Sequence, residues 1–327
     1  MENRKITRLG REVSVVGLGC WQLGADWGEV DEKDALAVLH AAADAGVTFF
    51  DTADVYGDGR SERLVGRFRA ERADNAVFVA TKMGRRVEQV PENYVAANFR
   101  EWNDRSRRNL GIDTLDLVHL HCPPTPVYSS DAVYDALDAM VDEGRIKAYG
   151  VSVETCDEAL AALARPNVAS VQIILNCLRL KPLERVLPTA AEAGAGIIAR
   201  VPLASGLLSG RYTASTTFAA DDHRNFNRNG DAFDVGETFS GVPYDVGLEA
   251  VERLRGLVPE GQTLAQFALR WILDQPGLST VIPGARNAAQ ASANTAAAAL
   301  PPLSSAAAAA ITATYDELIR PLVHDRW

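Results

Sequence analysis

Phe49-Phe50-Asp51-Thr52-Ala53-Asp54-Val55-Tyr56-Gly57-Asp58-Gly59-Arg60-Ser61-Glu62-Arg63-Leu64-Val65-Gly66 reads as the end of a buried strand, a polar turn and the opening of a helix. Phe49 and Phe50 close an apolar run, and Asp51 falls where a strand would leave the core. Tyr56 lies in the turn beside Gly57 and Gly59. Ser61 is placed to cap a helix beginning near Glu62. A carboxylate at a strand end with a phenol in the following loop is where α/β folds keep their sites.

The same rhythm recurs on both sides of this stretch. Short apolar runs at 15–18, 48–51, 77–81, 115–120, 149–152, 170–175, 196–201 and 279–282 are each followed by a helical pattern. The first of these helices, at 32–45, carries Leu36, Leu39 and Ala43 in its stripe and stops at Gly46. Apolar strands without polar alternation suit a parallel sheet covered by helices. Eight such units in about 300 residues predict a closed (β/α)8 TIM barrel. Residues 5–14, turning at Gly10, predict an N-terminal β-hairpin, and patterns at 287–299 and 304–319 predict extra C-terminal helices. An open doubly wound sheet is the alternative, weakened by the lack of a GxGxxG turn after the first strand. No composition shift marks a linker, so residues 1–327 are expected to form one domain. The rhythm breaks at Pro202, and a loop rich in Gly, Ser, Asn, Asp and Phe runs to Tyr244. A loop of that length inside a compact domain points to a functional segment.

Composition narrows the classes. The chain has 327 residues, 47% hydrophobic and 23% charged, with a formal net charge of −10. That is an ordinary soluble composition, and the acidic balance argues against a nucleic-acid partner, which needs a basic face. Cys20, Cys122, Cys156 and Cys177 have no zinc-ligand spacing, so no metal is expected. Sparse thiols suggest a reducing compartment. No signal-like apolar region opens the chain and no run approaches the roughly 18 residues of a membrane span. A cytoplasmic protein without membrane partners is expected; nothing in the sequence specifies an oligomeric state.

In a barrel the C-terminal strand ends meet on one rim. That rim would gather Asp51, Lys82, His121, Ser152, Gln172 to Asn176, Val201 and Gly284, with Tyr56 joining from its loop. A lysine beside a phenol favours the phenolate and lowers the tyrosine pKa, and an aspartate keeps the lysine charged. A tyrosine tuned this way donates a proton near neutral pH. His119 shares a strand face with His121. His121 lies nearer the strand end and is the candidate; His119 reads as a core histidine. Cys20 and Cys122 read as packing residues.

These segments, in order and with their spacing, resemble the aldo-keto reductase family. The match runs through Gly17-Leu18-Gly19-Cys20-Trp21, the Asp51–Gly66 stretch, Ala80-Thr81-Lys82, Leu115 to Pro123, Gly144 to Ser152, Pro202 to Gly210 and Ile282 to Arg286. The resemblance implies carbonyl reduction by hydride transfer from NADPH, with Asp51, Tyr56, Lys82 and His121 as the catalytic set and Tyr56 as general acid. Trp21, Tyr56 and His121 would meet a small-molecule carbonyl substrate. Ser152 and Gln172 would hold the carboxamide, and Pro202, Leu203, Gly206, Leu207 and Ser209 would line the pyrophosphate path. Gly284, Arg286, Gln290 and Asn294 would face the adenosine end, where a guanidinium at Arg286 suits a 2′-phosphate. Three positions depart from the pattern: Val153 replaces a frequent Asn, Ala293 a frequent Glu, and Arg200-Val201 a Tyr-Ser pair. Either Arg200 stacks its guanidinium where that tyrosine covers the nicotinamide, or the ring goes uncovered. The family resembles the barrel-shaped β subunits of potassium channels. A non-catalytic NADPH-binding regulatory subunit is therefore the alternative function, and a barrel isomerase or lyase a third.

Overall fold

The strand–helix alternation is the architecture of the chain. The computed structural model describes residues 1–24, 30–72 and 77–327. An antiparallel hairpin comes first, β1 (Asn3–Ile6) against β2 (Arg11–Ser14). Its turn is closed by Gly10 at φ 63°, a left-handed conformation that costs glycine little. Eight parallel strands follow: β3 (Leu18–Gly19), β4 (Phe49–Asp51), β5 (Phe78–Met83), β6 (Leu117–His121), β7 (Tyr149–Ser152), β8 (Val168–Ile174), β9 (Gly196–Arg200) and β10 (Thr280–Val281). They pair in chain order, and bridges Val16↔Val281 and Gly19↔Gly284 join the last strand to the first. The sheet is thus a barrel.

Two cores fill it. Ile6 and Val13 of the hairpin pack with Phe49, Phe78, Leu117, Ala169 and Ile198 inside the barrel. Several of these stand at strand starts, so the hairpin plugs the N-terminal end and leaves the opposite mouth for chemistry. The larger core lies between the sheet and the helices around it, α1 (Glu32–Asp44), α2 (Arg60–Glu71), α3 (Ala96–Leu110), α4 (Asp131–Asp142), α5 (Cys156–Leu163) and α6 (Val186–Ala193).

Local signals set most boundaries. The α3 helix stops at Gly111, whose φ of 66° is the left-handed cap. Thr155 and Glu158 form a capping box on α5. The expected helix cap at Ser61 is a correction: the N-cap of α2 is Gly59, and Ser61 is inside the helix. Its hydroxyl instead donates to the carbonyl of Cys20 at 2.8 Å and accepts from Thr52 Oγ1 at 2.8 Å. It braces the βα loop against the barrel's first strand–loop junction.

The long segment after β9 is built, not structureless. It contains a tight turn at Ala204–Ser209, α7 (His223–Phe226) and short turns at Val235–Glu237 and Phe239–Gly241. Helices α8 (Tyr244–Arg255) and α9 (Leu264–Leu273) precede β10, and α10 (Ala288–Ala296), α11 (Ser305–Thr314) and α12 (Arg320–Val323) follow it. The terminal Trp327 ring lies 3.7 Å from the guanidinium carbon of the fully buried Arg179. A Cβ at Gly236 or Gly241 would come within 2.9 or 2.8 Å of that ring. The long segment is therefore seated on the chain's last side chain. No described helix is long and apolar enough to cross a membrane.

Candidate active site

At the C-terminal mouth, strand register levels the candidate side chains. Asp51 pairs with Ala80, Lys82 with His119, His121 with Ser152, and Ser152 with Gln172. Lys82 belongs to β5 itself and is 1% exposed. Its Nζ donates to Asp51 Oδ1, to the Thr52 carbonyl at 2.9 Å and to the Tyr56 hydroxyl at 3.3 Å. Gln172 Nε2 donates to the other oxygen of Asp51 at 2.7 Å. All three ammonium donors thus have acceptors, as a buried charge requires. The Tyr56 ring stacks near Trp21 at 5.9 Å and meets the His121 ring edge-on at 5.9 Å.

A second layer fixes the loop that carries Tyr56. Thr81 Oγ1 and Asn109 Nδ2 donate to the two oxygens of buried Glu62, at 2.6 and 2.8 Å. Gly57 has φ 55°, and a Cβ there would sit 2.0 Å from the Gly24 carbonyl oxygen. No other residue fits that turn without moving it.

Burial dominates the titration of the set. It opposes charge on Lys82, but Asp51 and Tyr56 outweigh it and the ammonium pKa is raised. Burial raises the Asp51 carboxyl despite Lys82 and Gln172. It also raises the Tyr56 phenol, against the lowering pull of Lys82. The expectation of a tyrosine tuned down toward neutrality is therefore corrected: desolvation outweighs the cation here, and Tyr56 keeps its proton through the neutral range. His121 is held well below 6.5 by burial and by Arg85, Lys82 and Arg200, so its imidazole is neutral. Burial brings His119 down to about 3, and its Nε2 pairs with Ser170 Oγ at 2.9 Å, as a core histidine should.

Arg200 stands at the end of β9 in an ionic cluster. Its Nη2 donates to Glu154 Oε2 at 2.7 Å and to the Val153 carbonyl at 3.1 Å, and Nη1 lies 3.6 Å from Glu237 Oε1. Arg85 Nη2 reaches both carboxylates, Glu237 at 3.0 Å and Glu154 at 3.3 Å. The guanidinium expected to lie over the nicotinamide is thus engaged with two carboxylates and a carbonyl. Burial pushes Glu154 up to about 7, whereas Arg85 and Arg200 overcome burial and hold Glu237 at about 2. Arg85, Glu154 and Glu237 were not among the sequence candidates. The first two could have been found by following strand ends two residues further; Glu237 lies far along the long loop and carries no local signal.

The remaining predicted residues take these places. Ser152 Oγ accepts from the Cys122 thiol at 3.4 Å. Pro202 and Leu203 lead into the Ala204–Ser209 turn, which holds Gly206, Leu207 and Ser209; Ser209 Oγ donates to the Gly206 carbonyl at 2.6 Å. Val201, Ala204 and Ser205 have φ of 51°, 46° and 53°, so this turn is wound tightly at a cost in backbone strain. Gly284 is covered by Gln22, whose amide a Cβ would meet at 2.1 to 2.3 Å. Asn294 Nδ2 donates to the Gly284 carbonyl at 3.1 Å, and the Arg286 backbone N–H donates to Gln290 Oε1 at 2.8 Å. Arg286 itself is exposed, two residues before α10.

Tyr56 and His121 open on a cavity of about 250 Å³ that Trp21, Val55, Arg85 and Glu237 also line. His223, Phe226 and Phe233 of the long loop also line it.

Asp54, just behind this cavity, is fully buried with both carboxylate oxygens unpartnered among the described residues. Burial and the charge of Glu62 raise its pKa to about 7, against Arg86 and Arg105. The folded state therefore binds a proton that the unfolded state has released between pH 4 and 7, and stability falls as pH rises through that window. Asp54→Asn is expected to raise the melting temperature, with a gain at pH 8 that exceeds the gain at pH 5 by roughly 5 °C. Equal gains at both pH values in a thermal melt would refute the buried-charge account.

A phenol held by a buried Lys–Asp pair at the mouth of a (β/α)8 barrel marks a barrel oxidoreductase. Residues 15–316 match the aldo/keto reductase family, and the chain belongs to that family. Aldo-keto reductase YhdN of Bacillus subtilis is 32% identical over 299 residues, covering 90% of this chain and 87% of that protein. Aldo-keto reductase yakc (NADP(+)) of Schizosaccharomyces pombe is 29% identical, over 84% of this chain and 80% of that one. A glycerol dehydrogenase of Gluconobacter oxydans superposes with a TM-score of 0.78 at 29% identity, over 98% of this chain and 96% of that one.

Proposed function

We propose that this chain reduces an aldehyde or ketone to the alcohol with NADPH as reductant and Tyr56 as general acid. The observation that carries the reading is the Lys82 ammonium, held by Asp51 and donating to the Tyr56 hydroxyl at 3.3 Å. When bound, NADPH would supply the hydride. The chain's residues suit that cofactor: exposed Arg286, with no ion pair among the described residues, stands beside the N-terminus of α10, and a guanidinium there suits a phosphate. The relative from S. pombe carries NADP(+) in its name.

Tyr56 holds its proton at neutral pH and gives it to the carbonyl oxygen as charge develops there. Lys82 then stabilises the phenolate, which is worth more in this buried setting than in water. Neutral His121, 5.9 Å ring to ring from Tyr56, aims the same oxygen by a hydrogen bond. The four cysteines are free and buried, which fits a cytoplasmic enzyme.

The test is a panel of aldehydes and ketones assayed in parallel with NADPH and NADH. Substrate-dependent oxidation of NADPH is expected, at least tenfold more efficient than of NADH. Arg286→Ala should erase most of that preference by raising KM for NADPH. Tight NADPH binding with no turnover across the panel would overturn the reading and favour a regulatory subunit.

A further inference from the structure

We infer that the pocket is built for a small, uncharged carbonyl compound bearing hydroxyl groups, a hydroxyaldehyde or hydroxyketone of a few carbons; this rests on the reductase reading above. The cavity of about 250 Å³ has room for a molecule of a few carbons. Its walls are of two kinds. Trp21 and Phe233 meet edge to face at 6.2 Å, and Phe226 packs against Phe233 at 6.1 Å, forming an aromatic face. Facing the same space are a guanidinium, Arg85, and a carboxylate, Glu237, joined at 3.0 Å.

Those charges are paired. Arg85 lies between Glu237 and Glu154, and Arg200 sits on the same two carboxylates. Each guanidinium is thus already paired with a carboxylate and Glu237 with two guanidiniums, so, among the described residues of this cluster, an oxo acid meets no cation without a carboxylate partner and an amine must compete with Arg85 and Arg200 for Glu237. A plain alkyl carbonyl would cover Arg85 and Glu237 without returning a hydrogen bond, and desolvating polar groups in that way is unfavourable. A hydroxyl is donor and acceptor at once. It can donate to Glu237 and accept from Arg85, whose described bonds run through Nε and Nη2. The C–H face of such a molecule packs on Trp21 and Phe233. Sites that bind a substrate hydroxyl discriminate far more strongly than apolar pockets do.

Three three-carbon substrates separate the possibilities: glyceraldehyde, propanal and pyruvate, each with the full chain and NADPH, beside 4-nitrobenzaldehyde as a reactive reference. Wild type is expected to favour glyceraldehyde over propanal by at least tenfold in kcat/KM, with pyruvate lowest. In Glu237→Ala and Glu237→Gln the glyceraldehyde-to-propanal ratio should fall at least fivefold. Intrinsic reactivity and hydration of the aldehydes cancel in that comparison. Propanal or pyruvate equal to glyceraldehyde in wild type, or an unchanged ratio in both variants, would overturn the inference while leaving the reductase reading intact. No turnover of any of the four, 4-nitrobenzaldehyde included, would overturn both.

Discussion

Tyr56→Phe is expected to lower kcat/KM for carbonyl reduction by about 10³-fold or more while leaving the Kd for NADPH within about threefold. The substitution removes one oxygen and keeps the ring, so the contacts with Trp21 and His121 at 5.9 Å each survive. Lys82 loses one of its acceptors and keeps Asp51 and the Thr52 carbonyl. The fold should therefore be nearly indifferent to the change, and a thermal melt should show it. Because burial raises the phenol pKa and lowers that of His121, wild-type reduction should be flat across neutral pH and fall only on the alkaline side, as the proton donor is lost. Undiminished reduction by the phenylalanine variant would remove Tyr56 from the chemistry.

Lys82→Met should damage both activity and stability. It strands the Asp51 carboxylate, 3% exposed, with Gln172 as its remaining hydrogen-bond donor. Breaking a buried ion pair from one side typically costs about 3–5 kcal/mol. For a chain of this size that is a fall of about 5 °C in melting temperature. Loss of the ammonium also leaves the developing phenolate without a counter-charge, so reduction should fall by at least 10²-fold. The double variant Lys82→Met/Asp51→Asn removes the stranded charge. It should recover most of the melting temperature and none of the activity. Recovery of both would show that Lys82 acts only by holding the fold, and recovery of neither would show that the pair is not what stabilises the barrel mouth.

Much of this was legible because barrels put information in periodic places. Lys82 and His121 follow apolar strands, and Asp51 ends one; strand register brings them to one rim, so position in sequence predicts position in space. The eight strands and the hairpin were readable for the same reason. Interactions of burial were not. Ser61 has the chemistry of a cap, but the left-handed Gly59 starts the helix two residues earlier and leaves the hydroxyl facing Cys20 and Thr52. The direction of the Tyr56 shift depended on how deeply the ring is buried, a tertiary quantity. Arg200 shows its planar charge in the sequence, but its partners come from 46 positions before it and 37 after it, at Glu154 and Glu237. No local pattern announces such a meeting.

The seat of the long loop divides that loop for anyone who would redesign it. Its stem is pinned where Trp327 leaves no room for a Cβ at Gly236 or Gly241 and where Ser205 Oγ donates to the Glu237 carbonyl at 3.0 Å. Its tip, with His223, Phe226 and Phe233, faces the cavity. A mutant library aimed at new substrates should vary the tip and leave the two glycines and the last residue untouched. Variation in the stem would scatter Glu237 before any new pocket could be selected.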